Sequence, residues 1–165
     1  MKVEQLMTKD VRTCTPEQSL NDVVCVMWEA DCGSVPITSE DGSGRVVGML
    51  TDRDACMAAY FKGSNLKQLR ARDAMSPDAS CCKPSDTIEE AEQLMQTAQV
   101  RRLPVVDEAK QLIGLISLAD ISKAATRIAK SKSRKKQITH AEIGETLAAI
   151  CRRHPRNNRP GALPS

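Results

Sequence analysis

Two short stretches pair a hydroxyl with a carboxylate at the same spacing, Thr51-x-x-Asp54 and Ser117-x-x-Asp120. Each follows an apolar run that contains a glycine, Val46-Val47-Gly48-Met49-Leu50 in one place and Leu112-Ile113-Gly114-Leu115-Ile116 in the other. Such a run reads as a buried strand, and the hydroxyl and carboxylate then fall in the first turn of a helix. Unpaired backbone N–H groups and the positive end of the helix dipole favour an anion there. A strand that brings a hydroxyl, a carboxylate and backbone donors to one spot has the parts of a nucleotide cradle, and two copies suggest two cradles. The same spacing also fits a helix cap, in which the hydroxyl accepts from the backbone and the aspartate bonds back. Both readings stand at this level.

The rest of the chain offers little for catalysis. The only histidines, His140 and His154, lie near the C-terminus, there is no Walker-type loop, and no cysteine has an evident base beside it. An enzyme is therefore not expected. Seven cysteines is an odd number, and none shows Cys-x-x-Cys spacing. Cys81 and Cys82 are adjacent, so in a strand they point to opposite faces. Free, mostly buried thiols in a reducing compartment are the expectation, with neither a metal nor a cofactor.

The elements that position these residues come from an internal repeat. Met7 returns as Met75, Pro16 as Pro84, Ser19 as Thr87, Leu20 as Ile88, Met27 as Met95 and Pro36 as Pro104, an offset of 104 − 36 = 68. From Gly48 to Gly114, Thr51 to Ser117 and Asp54 to Asp120 the offset is 114 − 48 = 66, so the loop Ser39–Gly44 of the first copy carries two extra residues. Each copy predicts a short strand (Val11–Thr13 in the first), an amphipathic helix, two strands and a second helix. The first helix of the first copy is capped at Ser19 and ends at Trp28; its second runs over Asp52–Tyr60 and stops at Gly63. In the second copy Thr87-x-x-Glu90 caps a helix that turns Ile88, Ala91, Leu94 and Met95 inward, a hairpin crosses Asp107–Lys110, and the last helix runs from Leu118 to about Ile128. This order predicts an α+β (mixed α/β) fold of two β-α-β-β-α repeats with pseudo-two-fold symmetry. The expected units are 1–63, 64–128 with its connector, and a tail over 129–165. Aromatics are 2% of the chain, so Val, Leu, Ile, Met and Ala must build the core.

The charge is uneven. Residues 1–122 hold 13 Lys+Arg and 19 Asp+Glu, a net −6, whereas 123–165 hold 11 and 2, a net +9. The tail reads as a basic linker, Lys130–Lys136, then a capping box Thr139-His140-Ala141-Glu142 opening a helix with Ile143, Leu147, Ile150 and Cys151 on one face, then a disordered end from His154. A nucleic-acid-binding role for Lys123–Lys136 with Arg152, Arg153, Arg156 and Arg159 is the competing function. The acidic body and the missing aromatic platform weigh against it. No apolar stretch has the length of a membrane span and the N-terminus has no apolar signal core, so a cytoplasmic protein is expected.

The ordered parts of the two copies, a Met-Thr/Ser opener, an amphipathic helix, a Pro-Val/Ile strand and Gly-φ-φ-Thr/Ser-x-x-Asp with φ apolar, resemble a tandem pair of CBS (cystathionine β-synthase) domains, a Bateman module, over roughly Met1–Ala125. The resemblance implies a stand-alone regulatory sensor of an adenosyl ligand, such as AMP, ADP, ATP or S-adenosylmethionine, that dimerises with itself and modulates an unidentified protein in trans. It implies that Asp54 and Asp120 bind ribose hydroxyls with Thr51 and Ser117 as partners. A carboxylate suits a diol because it accepts two hydrogen bonds. Arg101-Arg102-Leu103-Pro104-Val105 matches the family's basic stretch, and these arginines are expected at a phosphate unless they only solvate a helix end. The first copy has Gly33 and Ser34 there, so the two cradles should differ, with Arg53 in partial compensation. By analogy, Val35, Ile37, Val105 and the backbone of Thr13, Cys14, Thr15, Cys81, Cys82 and Lys83 wall an adenine slot.

Overall fold

A computed structural model describes residues 1–130 and 139–151. Residues 131–138, which hold the expected basic linker beyond Lys130, and the stretch from Arg152 onward with its Arg153, Arg156 and Arg159, lie outside the described residues. In the first repeat, helix α1 (Leu20–Glu29) leads to the hairpin β1 (Ser34–Thr38) and β2 (Val46–Thr51), followed by α2 (Asp52–Lys62). Ser19 caps α1 by accepting from the Asp22 N–H at 3.1 Å. Gly63, at φ +58°, ends α2 in the left-handed region that glycine reaches without a Cβ penalty. The second repeat repeats the plan with α3 (Ile88–Ala98), β4 (Arg102–Val106), β5 (Leu112–Ser117) and α4 (Leu118–Lys130). Between them, the two-residue β3 (Ser76–Pro77) pairs with β2. The strand expected at Val11–Thr13 does not form. Only Cys14 meets β1, in a single parallel bridge to Ile37, because Pro16 turns the chain two residues later; Cys82 and Val105 repeat this.

The two cores interleave along the chain. Val3 is buried with Ile88, Met95, Leu103, Ile116 and Ile121 of the second repeat. Leu69 and Ala71 are buried with Leu20, Val23, Met27, Ile37 and Leu50 of the first. The leading segments dock by equivalent hydrogen bonds: Val3 N–H donates to Asp86 O at 2.9 Å and Ala71 N–H to Gln18 O at 2.9 Å, while Ile88 N–H donates to Met1 O at 3.0 Å and Leu20 N–H to Leu69 O at 2.9 Å. Each repeat is thus closed by the segment that precedes the other.

The repeats also meet on their own pseudo-dyad. Arg45 and Gln111, equivalents at 111 − 45 = 66, form an antiparallel bridge, flanked by Val46 N–H to Lys110 O at 3.2 Å and Leu112 N–H to Gly44 O at 3.0 Å. Gly48 is required here. A Cβ on it would stand 2.7 Å from the Ser76 carbonyl of β3, a backbone atom with no rotamer to change.

The tail helix α5 (His140–Ile150) packs on α3 and α4. Its capping box forms as the spacing predicts, with Thr139 Oγ1 accepting from Glu142 N–H at 3.2 Å and Thr139 N–H donating to Glu142 Oε2 at 2.7 Å. The inward face differs from the expected Ile143, Leu147, Ile150 and Cys151. Ile143, Thr146 and Ile150 face the second core, while Leu147 is 44% exposed and Cys151 is exposed. The reason lies in α3, whose Glu92 is only 5% exposed and whose Gln96 donates from Nε2 to Thr146 Oγ1 at 2.8 Å. A hydroxyl satisfies this polar seat and a leucine does not.

Glu92 Oε1 has no partner, although Thr146 bonds the carboxyl. Burial, then the neighbouring Glu142 and Glu89, push its pKa up from 4.5 to about 7. Because the folded state holds this proton more tightly, stability is full below about pH 4.5, falls as pH rises and levels off above about 7. Urea unfolding across that window should show this loss, and Glu92→Gln should flatten it and stabilise the protein at pH 7.5 by about 1–3 kcal/mol. Gly48→Ala should cost about 1–3 kcal/mol by the same measurement.

Candidate functional site

Thr51 and Ser117 end β2 and β5, and both hydroxyl–carboxylate pairs form complete capping boxes. Thr51 Oγ1 accepts from Asp54 N–H at 3.1 Å and donates to Asp54 Oδ2 at 2.7 Å, while Thr51 N–H donates to the same oxygen at 3.0 Å. Ser117 and Asp120 reproduce this at 3.2, 2.6 and 3.0 Å. In each carboxylate Oδ2 is committed to the cap, while Oδ1 has no partner among the described residues. The cap reading holds, and one oxygen of each carboxylate takes no part in it.

The junction between the repeats opens two clefts, and the repeat offsets relate part of their linings. The larger, about 490 Å³, is lined by Val46 and Val47 of the first repeat and by Asp78, Ala79, Cys81, Cys82, Lys83, Val106, Asp107, Glu108 and Lys110. The smaller, about 200 Å³, is lined by Leu112, Ile113 and Gly114 of the second repeat with Lys9, Val11, Thr13, Thr38 and Gly44. Val46 matches Leu112, Ala79 matches Val11, Cys81 matches Thr13 and Lys110 matches Gly44. Only the larger falls in the range typical of small-molecule sites, roughly 300–1,000 Å³. It has apolar walls and a charged mouth, where Lys83 Nζ pairs with Glu108 at 3.1 Å. Asp107 is held in its turn by the N–H groups of Ala109 and Gln111, both donating to Oδ1 at 2.9 Å.

The expected slot walls divide. Thr13, Cys81, Cys82 and Lys83 line the clefts. Val35 and Ile37, with Cys14, are packed in the first core and Val105 in the second, so the residues of β1 and β4 that reach the clefts are Thr38 and Val106. The backbone of Cys14 and Cys82 is already paired, Thr38 N–H donating to Cys14 O and Val106 N–H to Cys82 O, both at 2.9 Å. Thr15 N–H donates to Gln18 Oε1 at 2.7 Å and Lys83 N–H to Asp86 Oδ2 at 2.7 Å. That leaves the backbone of Thr13 and Cys81 unpaired among the described residues and available to read a base edge. Burial pushes the thiols of Cys14 and Cys82 up to about 11 and about 12, so both are protonated packing groups.

The arginines are placed apart from the clefts. Arg102 Nη1 donates to Ser34 Oγ at 2.6 Å, and Ser34 is its own repeat equivalent (102 − 34 = 68), so this contact crosses the pseudo-dyad. Arg101 Nη2 stands 4.0 Å from Cys151 Sγ at the end of α5. Arg53 is exposed, its N–H donating to Asp52 Oδ1 at 2.7 Å. Asp54 and Asp120 line neither cleft; Thr51 stands four residues past Val47, about 13 Å of strand. Sequence reasoning missed the carboxylates of the mouth, Asp78, Asp107 and Glu108, whose signal was the turn chemistry after β3 and after β4. Among the described residues no three His, Cys, Asp or Glu side chains are grouped to hold a metal, and no helix is long and apolar enough to cross a membrane.

This architecture, two interleaved repeats with clefts at their junction, is that of a paired regulatory module. The CBS domain family model matches residues 3–60 and again 71–127, and the chain belongs to that family. It is similar to the CBS domain-containing protein YhcV of Bacillus subtilis, 32% identical over 120 residues that span 73% of this chain and 82% of YhcV. A putative signal-transduction protein with CBS domains from Burkholderia ambifaria shares the structure at TM-score 0.68 and 26% identity, covering 82% of this chain and 100% of the other. CBSX2 of Arabidopsis thaliana, solved in complex with AMP, shares the fold at TM-score 0.67 and 24% identity, over 78% of this chain and 98% of CBSX2.

Replacing Asp54 or Asp120 by alanine removes the return half of a capping box. Without ligand, each substitution should cost about 0.5–2 kcal/mol in urea unfolding.

Proposed function

We propose that this CBS pair is a cytoplasmic, non-enzymatic sensor that binds one adenosyl ligand, such as AMP, ADP, ATP or S-adenosylmethionine, in the larger cleft. The observation that carries this reading is that the cleft is built from both repeats, Val46 and Val47 on one side and Cys81–Lys83 with Val106 on the other. A ligand held there touches two bodies at once, so it favours whichever mutual arrangement fits it best, which is the condition for regulation. The apolar walls suit a base, the Cys81 backbone its edge, and Lys83 and Lys110 an anionic group. The ribose then runs along β2 toward the unpaired Oδ1 of Asp54. Asp120, with Ser117, has the same role in the smaller cleft, which is too tight at about 200 Å³ for a nucleotide in this state. Arg101 and Arg53 reach phosphate from the surface, and Arg102 does so by leaving Ser34. The module acts as a homodimer on a separate protein.

Calorimetric titration with AMP, ADP, ATP and S-adenosylmethionine tests this. At least one ligand should bind at one per chain, and Asp54→Ala should weaken it by about 10- to 100-fold, the loss of a charge-assisted hydrogen bond. Ala79→Trp, which fills the larger cleft, should abolish binding, while the equivalent Val11→Trp should leave it intact. Failure of all four ligands to bind wild type, or binding that survives Ala79→Trp, would overturn the reading.

A further inference from the structure

The larger cleft has two strand walls that run to the same end. Val47 lines it from β2 and Val106 from β4. Alternate residues of a strand share a face, so Val47 shares one with Thr51. On β4, Leu103 and Val105 are buried in the second core, which leaves Arg102 and Val106 together on the other face. Both walls therefore extend four residues (51 − 47 = 4 and 106 − 102 = 4), about 13 Å, from the cleft toward the pseudo-dyad. There they meet: Ser34 lies directly opposite Thr51 in the β1–β2 ladder, and Arg102 Nη1 donates to Ser34 Oγ at 2.6 Å. The ladder neighbour of Arg102 is Ser117, yet the wall it extends is that of the larger cleft. The smaller cleft shows the converse. Its walls, Ile113 of β5 and Thr38 of β1, lead by the same four residues to Ser117 and to Ser34. The assignment is thus crossed, with the arginine at the Asp54 end and the serine at the Asp120 end. Arg102 forms no ion pair among the described residues, and it is half-buried, where a charge acts more strongly than in water.

We infer that Arg102, a residue of the second repeat, determines ligand specificity at the Asp54 cradle of the first: it selects a nucleoside phosphate for the larger cleft, and that phosphate draws it off Ser34. The inference rests on the reading of this cleft as an adenosyl site and narrows its ligand. With the base between the cleft walls and the ribose on Asp54 Oδ1, the group beyond the ribose meets the guanidinium. Its planar fork fits phosphate oxygens with two parallel hydrogen bonds. A sulfonium at the same place sets cation against cation, so S-adenosylmethionine is rejected. The smaller cleft ends on serine and makes no such selection. Ser34 competes with the phosphate for one donor, and its bond joins the two repeats across the pseudo-dyad. Capture of Arg102 therefore exchanges a contact between the repeats for a contact with ligand. That differential contact couples binding to their mutual arrangement.

Calorimetric titration with AMP, ADP, ATP, adenosine and S-adenosylmethionine, on wild type, Arg102→Ala, Arg102→Lys, Lys110→Ala and Ser34→Ala, tests it, with circular-dichroism melts to show that each variant folds. Wild type should bind at least one nucleotide about 10- to 100-fold more tightly than adenosine, the worth of a charge-assisted contact, and S-adenosylmethionine no more tightly than adenosine. Arg102→Ala should erase the preference for nucleotide over adenosine, and Arg102→Lys should restore part of it, as a point charge in place of a fork. Ser34→Ala should raise that preference about 3- to 10-fold by freeing the donor. A preference that survives Arg102→Ala, or that is lost in Lys110→Ala instead, would overturn the inference and leave the adenosyl site standing. So would S-adenosylmethionine binding more tightly than every nucleotide. A preference lowered by Ser34→Ala would overturn the competition between Ser34 and phosphate. Failure of all five compounds to bind wild type would overturn the site and its specificity together.

Discussion

Each repeat of this chain lacks a part that only the other repeat's leading segment supplies. The backbone hydrogen bonds of Val3 to Asp86 and of Ala71 to Gln18 place a small apolar side chain in the opposite core, and β3 and Thr8 add their backbones to β2 and β5. An isolated repeat would leave an open sheet edge and an unfilled core, both of which cost free energy. The exchange therefore makes the pair, rather than the single repeat, the folding unit. It also fixes where the clefts lie, because they open at the seam that the exchange creates.

The same seam accounts for the glycines and for the arginine that left the expected site. Gly48 and Gly114 sit where the exchanged segments cross β2 and β5, and a side chain there would meet a backbone carbonyl, Ser76 O in one case and Thr8 O at 3.0 Å in the other. Arg102 reaches Ser34, the residue that replaces it in the first repeat, so the departure from perfect repetition is itself a contact. Two arginines facing each other across the dyad would repel, and the serine removes that conflict while offering an acceptor.

Divergence has given the two halves different surfaces on the same frame. The second repeat carries Glu92 and Gln96 where the first has Val24 and Trp28, and the tail helix lies over the polar pair. Its hold is conditional, since Glu92 sits under α5 with an unpartnered oxygen and two carboxylate neighbours. A neutral Glu92 suits the docked helix and an ionised one opposes it. The first repeat keeps apolar side chains there instead, with Trp28 and Tyr60 exposed.

Much of this was legible in the residues themselves. Periodicity located the helices and hairpins, Ser19, Thr51, Thr87, Ser117 and Thr139 marked helix starts, and the fixed offsets exposed the duplication, because these signals are local and act through neighbouring backbone groups. Sequence could not separate a cap from a cradle at Asp54 and Asp120, since both use the same spacing; only the geometry shows Oδ2 taken and Oδ1 left. Nor could it predict that Leu147 faces out and Thr146 in, or that Val35, Ile37 and Val105 belong to the cores. Those outcomes depend on what lies across the interface, the Glu92 carboxyl in one case and the second face of a strand in the other. The sequence alone thus determined the elements, their order and their twofold repetition, while the tertiary structure decided which repeat each segment completes, how large each cleft is and which helical face stays bare. Burial and partnership are set by residues distant in the chain, and no local pattern encodes them.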